Sequence, residues 1–229
     1  MKSDTEALEA VFMTKQPWPW TTRFLIDGKE YGGSYEAYKD ARLKEFRQNF
    51  PDCKHVLELG CLEGGHSVEL AKNYKVTAID GRNDNLGRAQ FIRKVFEISE
   101  DQLRFRFQDL DTETDLNEYK DCDVVFCVGV LYHLKEPWKL IEKMSKVSKN
   151  LFLWTHYSNT SDYAVGKYLL KRINEGAHDI STAALVPEVL WFTRNSLFEC
   201  LRDNGYSEPK VILDNDSQAQ PSITLCCRR

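Results

Sequence analysis

Apolar positions along the chain change their period several times, and each change marks an element. Residues 55–59 form a short apolar run that stops at Gly60, predicting a strand, and residues 67–73 read as the helix that follows. Residues 75–79 give a second strand. Leu86, Ala89, Ile92, Arg93 and Phe96 then recur near helical spacing behind Asn83, which has the side chain of an N-cap. Leu103, Phe105 and Phe107 alternate with Arg104 and Arg106, the period of a half-exposed strand. Residues 124–128 are uniformly apolar, as in a strand covered on both faces. Trp138, Ile141, Met144 and Val147 lie three apart and predict a helix that tolerates Pro137 in its first turn. Residues 151–154 make a fifth strand. After Trp191 a helix over 196–204 closes at Gly205, and two last strands, 210–213 and 223–227, flank a polar turn.

Strands and helices alternating in this order imply right-handed crossovers and a doubly wound, mostly parallel α/β sheet of seven strands with helices on both faces. Ligands of such sheets sit beyond the carboxyl ends of the strands. Four segments follow. Residues 1–50 form an N-terminal helical cap rich in aromatics, among them Trp18, Trp20, Phe24, Tyr31, Tyr35 and Tyr38, which either cover a pocket or pack onto the sheet. Residues 51–157 read as a Rossmann-like half whose strand ends would hold a ligand. Residues 158–192, where the strand rhythm stops, read as a helical insertion on the substrate side, and residues 193–229 complete the domain.

Composition narrows the function classes. At 229 residues the chain suits one core with appended segments. The net charge of −4 is spread over both signs, so no long-range positive field collects phosphate backbones. Nucleic acid is the disfavoured partner. Seven cysteines without a CxxC pair read as reduced thiols of a cytoplasmic protein. The first ten residues lack the basic start and apolar run of a signal peptide, and no stretch approaches the roughly 18 apolar residues of a membrane span.

Candidate chemistry gathers at the strand ends. Gly60 and Gly64 bound the first strand-to-helix turn, where missing Cβ atoms allow a ligand to approach the backbone. Asp80 ends the second strand 20 residues after Gly60, where a carboxylate can accept from ribose hydroxyls; its structural alternative is a turn residue ahead of the next helix. Asp109 or Asp111 follows the third strand and could accept from an exocyclic adenine amine. A dinucleotide fingerprint would need glycine two residues beyond Gly60, where this chain has Leu62.

In order and spacing, LELGCLEGG, VTAID, RFRFQDL and CDVVFCVGVLYHL resemble the class I S-adenosylmethionine-dependent methyltransferases. That resemblance implies a reversed, antiparallel C-terminal hairpin and S-adenosyl-L-methionine as cofactor. It places Gly60, Gly64 and Cys61 on the methionine side, Glu58 in support of that loop, Asp80 on the ribose, and Asp109, Leu110 and Val128 around the rest of the cofactor. Leu62 departs from the family, whose commonest turn has a further glycine there. GVLYHL and DARLKEF also resemble tRNA wobble-uridine alkyl-transfer enzymes.

Tyr132 and His133, at the end of the fourth strand, are candidates to orient an acceptor or take its proton, and His156, after the fifth, could share that task. No His and Asp spacing suggests a metal, and none is expected. Arg42 could reach the cofactor carboxylate, although it reads first as a surface arginine. The expected activity is methyl transfer to an oxygen or nitrogen of a small molecule by a monomer or homodimer. The alternatives are tRNA modification, with Lys167, Lys171, Arg172, Arg82, Arg88 and Arg93 as phosphate contacts, and a non-catalytic partner subunit that keeps the cofactor site.

Overall fold

The computed structural model describes residues 5–15, 17–112, 115–176 and 180–229. Helix α1 (Thr5–Phe12) precedes a hairpin of β1 (Arg23–Ile26) and β2 (Lys29–Gly32), and α2 (Ala41–Asn49) leads into the main sheet. The N-terminal cap is therefore not wholly helical. Asp27 and Gly28, both at positive φ, make the two-residue turn that Asp-Gly favours between strands. That dipeptide was the available signal for the hairpin.

Then follow β3 (His55–Leu59), α3 (Gly65–Ala71), β4 (Lys75–Asp80), α4 (Asn83–Val95), β5 (Leu103–Phe107), β6 (Val124–Val128), α5 (Pro137–Val147) and β7 (Asn150–His156). The last elements are β8 (Tyr163–Val165), β9 (Tyr168–Asn174), β10 (Glu188–Phe192), α6 (Arg194–Asp203), β11 (Lys210–Asn215) and β12 (Ser222–Arg228). Asn83 is the first helical residue of α4 rather than its cap, which is Arg82.

Seven strands form one sheet in the order β11-β12-β7-β6-β3-β4-β5, and β12 runs antiparallel to both of its neighbours. β3 pairs in parallel with β4 on one side and β6 on the other, so the chain reverses its direction of winding there. That reversal opens the crevice where ligands of doubly wound sheets bind.

Period-two alternation divides the core between the two faces. Leu57, Leu59, Val125, Cys127, Leu151 and Leu153 face α5 and α6. Val56, Val76, Val124, Phe126 and Phe152 face Leu43, Phe46, Val68 and Ile92. Phe46 is fully buried, edge-on to the stacked rings of Phe126 and Phe152. Burying each such side chain stabilises by roughly 1.5–3 kcal/mol. Of the N-terminal aromatics, Trp20, Phe24 and Tyr31 belong to this core, which makes packing their role.

The insertion expected to be helical is a three-stranded antiparallel sheet, β10-β9-β8. β8 and β9 join through a two-residue turn whose first member, Gly166, has a φ of 55°. Aromatic and β-branched residues, Tyr163, Val165, Tyr168, Ile173, Val189 and Phe192, favour strands here. The alternation was hard to read because β9 buries only Leu170 completely, with lysine and arginine following it.

Candidate active site

A cleft of about 290 Å³ opens at the carboxyl ends of β3, β4 and β6, close to the lower end of the roughly 300–1,000 Å³ range of ligand pockets. Gly60, Cys61, Asp80, Asp109, Leu110, Val128, Tyr132 and His133 all line it. Glu58, Gly64 and His156 do not.

Each absence has a local cause. Glu58 is buried beneath the glycine turn, where the Ser67 hydroxyl donates to it; burial, opposed by that bond and aided by Asp80, pushes its carboxyl up to about 7. Gly64 starts α3 at a φ of 84°, and a Cβ there would lie 3.2 Å from that of Ala89, so it permits close packing of α3 on α4. The His156 ring stacks on Trp191 at 5.0 Å, and its Nδ1 lies 3.1 Å from the Pro221 carbonyl oxygen, to which it donates. Burial lowers the His156 pKa. The residue is a packing element between two sheets.

Leu62 holds a φ of 51°, the backbone that glycine would adopt, and its N–H donates to Asp80 Oδ2 at 2.9 Å. The turn keeps its form in spite of the side chain, at a cost of about 1–2 kcal/mol. Asp80 Oδ1 accepts from Arg82 N at 2.9 Å and Asn85 Nδ2 at 3.2 Å. Oδ2, with one donor, retains a lone pair for a ligand hydroxyl. Burial raises the Asp80 pKa against the bonds from Arg82, Leu62 and Asn85.

Asp109 and Asp111 both reach the cleft. Asp109 Oδ1 accepts from Asp111 N and Asp111 Oδ1 from Lys135 N, each at 2.9 Å. Among the described residues, Asp111 Oδ2 and Asn85 Oδ1 are buried acceptors without a hydrogen-bond partner. Gly129, at a φ of 84°, stands where an added Cβ would have no atom closer than 4.0 Å, so its bare backbone forms open cleft wall. Orphaned acceptors, a carboxylate with a spare lone pair and exposed backbone suit a nucleoside carrying an amino-acid tail.

Arg42 is not a surface residue. It lines the cleft with its guanidinium 4.5 Å from the centre of the Trp154 ring. Asp40 caps α2 and grips the same arginine through Nη2 at 2.6 Å and Nε at 2.9 Å. The Tyr35 hydroxyl donates to Asp40 at 2.6 Å, and His66 Nε2 lies 2.8 Å from the same carboxylate oxygen. Burial works to raise the Asp40 pKa, but the bonds from His66 and Arg42 outweigh it and hold the carboxylate well below its usual range. Nη1 of Arg42 makes no hydrogen bond among the described residues, leaving a donor for an anionic group.

Also lining the cleft, His133 has its Nδ1 2.7 Å from Glu175 Oε2 and 2.8 Å from Oε1. An ionised carboxylate can only accept, so the contact is made by an Nδ1–H, and in a neutral ring that arrangement leaves the lone pair on Nε2. Burial, with Glu175 nearby, pushes the Tyr132 phenol up to about 12, so it stays protonated. The loop between β9 and β10 roofs the cleft with residues 181–185. Glu175 and this loop carry no local sequence signal, because their partners lie far away in the chain.

The basic residues proposed as phosphate contacts are engaged elsewhere. Arg88 pairs with Glu63, Arg93 with Glu100, Lys167 with Asp203, Lys171 with Asp162 and Arg172 with Glu188. Arg82 donates to the carbonyls of Ala183 and Ala184.

Comparison with known proteins identifies the family and the fold. The profile of the methyltransferase domain family matches residues 52–183. Ubiquinone biosynthesis O-methyltransferase of Haemophilus ducreyi is 28% identical over 180 residues, covering 71% of this chain and 74% of that protein. Its counterpart in Coxiella burnetii is 28% identical over 134 residues, and there the chain spans only 55% of the relative's length. The N-terminal domain of EvdMO1, crystallised with SAH (S-adenosylhomocysteine) bound, superposes with a TM-score of 0.87 at 30% identity, covering 98% of this chain and 97% of that one. Against the crystal structure of EvdMO1 itself the match covers 47% of that chain, with a TM-score of 0.75. Magnesium protoporphyrin IX methyltransferase from Synechocystis shares the fold, with a TM-score of 0.55, 18% identity and coverage of 81% of this chain and 79% of that one. By family profile, fold and cleft, this chain belongs to the class I S-adenosylmethionine-dependent methyltransferases.

Proposed function

We propose that this protein transfers the methyl group of S-adenosylmethionine to a hydroxyl oxygen of a small-molecule acceptor, with His133 as the base. The observation that carries the reading is the His133–Glu175 contact on the cleft wall, which fixes the proton on Nδ1 and leaves Nε2 able to receive another. When bound, the cofactor supplies a methyl on a positive sulfonium, already a good leaving group. The protein's share is alignment and removal of the acceptor's proton.

In this reading Asp80 accepts from the ribose through Oδ2, Asp109 and Leu110 flank the adenine with Asp111 as a further acceptor, and Gly60, Cys61 and Val128 border the rest. Nη1 of Arg42 meets the cofactor carboxylate. Tyr132, held protonated, donates to or orients the acceptor, and Trp154 gives it an apolar wall. The similarity to ubiquinone biosynthesis O-methyltransferases favours oxygen over nitrogen. EvdMO1's N-terminal domain was also crystallised in the presence of SAH and D-fucose, which makes a deoxysugar the first acceptor to try. The engagement of the basic side chains in internal pairs and carbonyl contacts weighs against tRNA.

Incubating the protein with methyl-labelled S-adenosylmethionine and separate sugar, phenol and amine acceptors tests this. Label should move to hydroxylated acceptors with matching release of S-adenosylhomocysteine. Transfer to amines alone, or none to any acceptor, would overturn the proposal.

A further inference from the structure

Glu175 closes β9 and belongs to neither the glycine turn nor the strand ends, yet its carboxylate serves two parts of the site at once. Both of its oxygens lie within 2.8 Å of His133 Nδ1. Oε2 also accepts from the backbone N–H of Ala184 at 3.0 Å. Ala184 lies in the loop that roofs the cleft, and further hydrogen bonds of that loop's described residues run to Arg82, Asn85 and Thr21. Arg82 Nη2 donates to Ala183 O at 3.1 Å and to Ala184 O at 2.9 Å. Asn85 Nδ2 donates to Ser181 O at 3.3 Å, and the Thr21 and Ser181 hydroxyls meet at 2.7 Å. Arg82, the cap of α4, and Asn85 in its first turn both also donate to Asp80 Oδ1.

We infer that Glu175 is a positioning residue that fixes the Nδ1–H tautomer of His133 and ties it to the loop over the cofactor, so that the base is oriented when residues 181–184 are seated. The chemistry follows from proton bookkeeping. An isolated imidazole can hold its proton on either nitrogen, and only the form with a free Nε2 can take one from an acceptor hydroxyl on that side. With Glu175 accepting from Nδ1, the proton leaving the acceptor goes to Nε2, and the resulting imidazolium faces a carboxylate rather than low-dielectric surroundings. A second carboxylate hydrogen bond, from Ala184, holds Glu175 in the rotamer that does this. Side chains that orient a reacting histidine in this way act by geometry and charge without meeting the substrate.

This inference rests on His133 being the base, but its test needs no turnover. Long-range proton–nitrogen spectra of histidine-labelled full-length protein with S-adenosylhomocysteine, recorded at about pH 8, above the ordinary histidine range, report the tautomer directly. The His133 signals are assigned by their loss in His133→Asn. The wild-type protein should show the Nδ1–H form. Glu175→Ala should shift His133 toward Nε2–H, and the Ala184 amide should exchange with solvent about tenfold faster, as expected for loss of a charge-assisted hydrogen bond. Glu175→Leu keeps bulk, lacks an acceptor and should give the same two changes if the alanine variant fails to fold. An Nε2–H form in the wild type, or a tautomer indifferent to both substitutions, would overturn the inference. A correct tautomer in a protein that transfers no methyl group would instead count against the proposed reaction and leave the positioning intact.

Discussion

Replacing Glu63 by alanine is expected to lower the free energy of unfolding by about 3–5 kcal/mol, the range for breaking a buried ion pair from one side. Glu63 is fully buried. Its Oε1 is 2.7 Å from Arg88 Nη1, and its Oε2 accepts from Thr21 N at 3.0 Å and Thr22 N at 2.7 Å. Arg88, whose side chain is only 10% exposed, also donates to the carbonyls of Trp18 and Pro19 and lies over the Trp20 ring. One carboxylate thus binds the N-terminal segment to the glycine turn. Its removal takes the counter-charge from beside the Arg88 guanidinium and the acceptor from two amides. Because Thr21 and Thr22 line the cleft, the variant should also bind cofactor more weakly. Urea unfolding of wild type and variant, compared at constant slope, measures the loss. A change under about 1 kcal/mol, the scale of surface pairs, would mean that Glu63 is not the clamp described.

His133→Ala carries the largest expected effect on turnover. General-base help contributes about 10²–10⁴-fold, so kcat should fall by a factor in that range while the affinity for S-adenosylhomocysteine stays as in wild type. Alignment of acceptor and methyl survives the change and should leave measurable residual activity. His156→Ala is the control. Because His156 does not line the cleft and packs behind its wall against Trp191 and Tyr132, its loss should act on stability more than on kcat. Single-turnover rates of both variants distinguish the two histidines. An unchanged rate in His133→Ala would reduce that residue to a structural role.

The parts of this protein that were legible in its sequence are those governed by local pattern. The uniformly apolar run at β6, the glycine turn after β3 and the acid ending β4 all follow from periods and spacings within about two dozen residues. The strand at β9 was harder, because its alternation is masked by Lys171 and Arg172 and it buries only Leu170 completely. Glu63, Arg42 and Glu175 belong to a different category. Glu63 meets Thr21, 42 residues earlier in the chain, and His133 meets Glu175, 42 residues later. No periodicity encodes such encounters, which depend on how the N-terminal segment and the insertion fold over the sheet. A partial clue existed for Arg42, since Asp40 precedes it by two positions in a helix-capping pattern that draws the guanidinium back onto the carboxylate. Leu62 shows the converse. The sequence marked it as a departure from the family turn, and the structure accommodates it with left-handed backbone.

Titration calorimetry with S-adenosylhomocysteine tests the central claim most directly. The wild-type protein should bind one equivalent, and Asp80→Ala should weaken binding by about 10–100-fold, as expected when hydrogen bonds to a charged acceptor, worth about 1.5–3 kcal/mol, are removed. Absence of binding to the folded wild-type protein, or equal affinity in the variant, would contradict the assignment of this cleft.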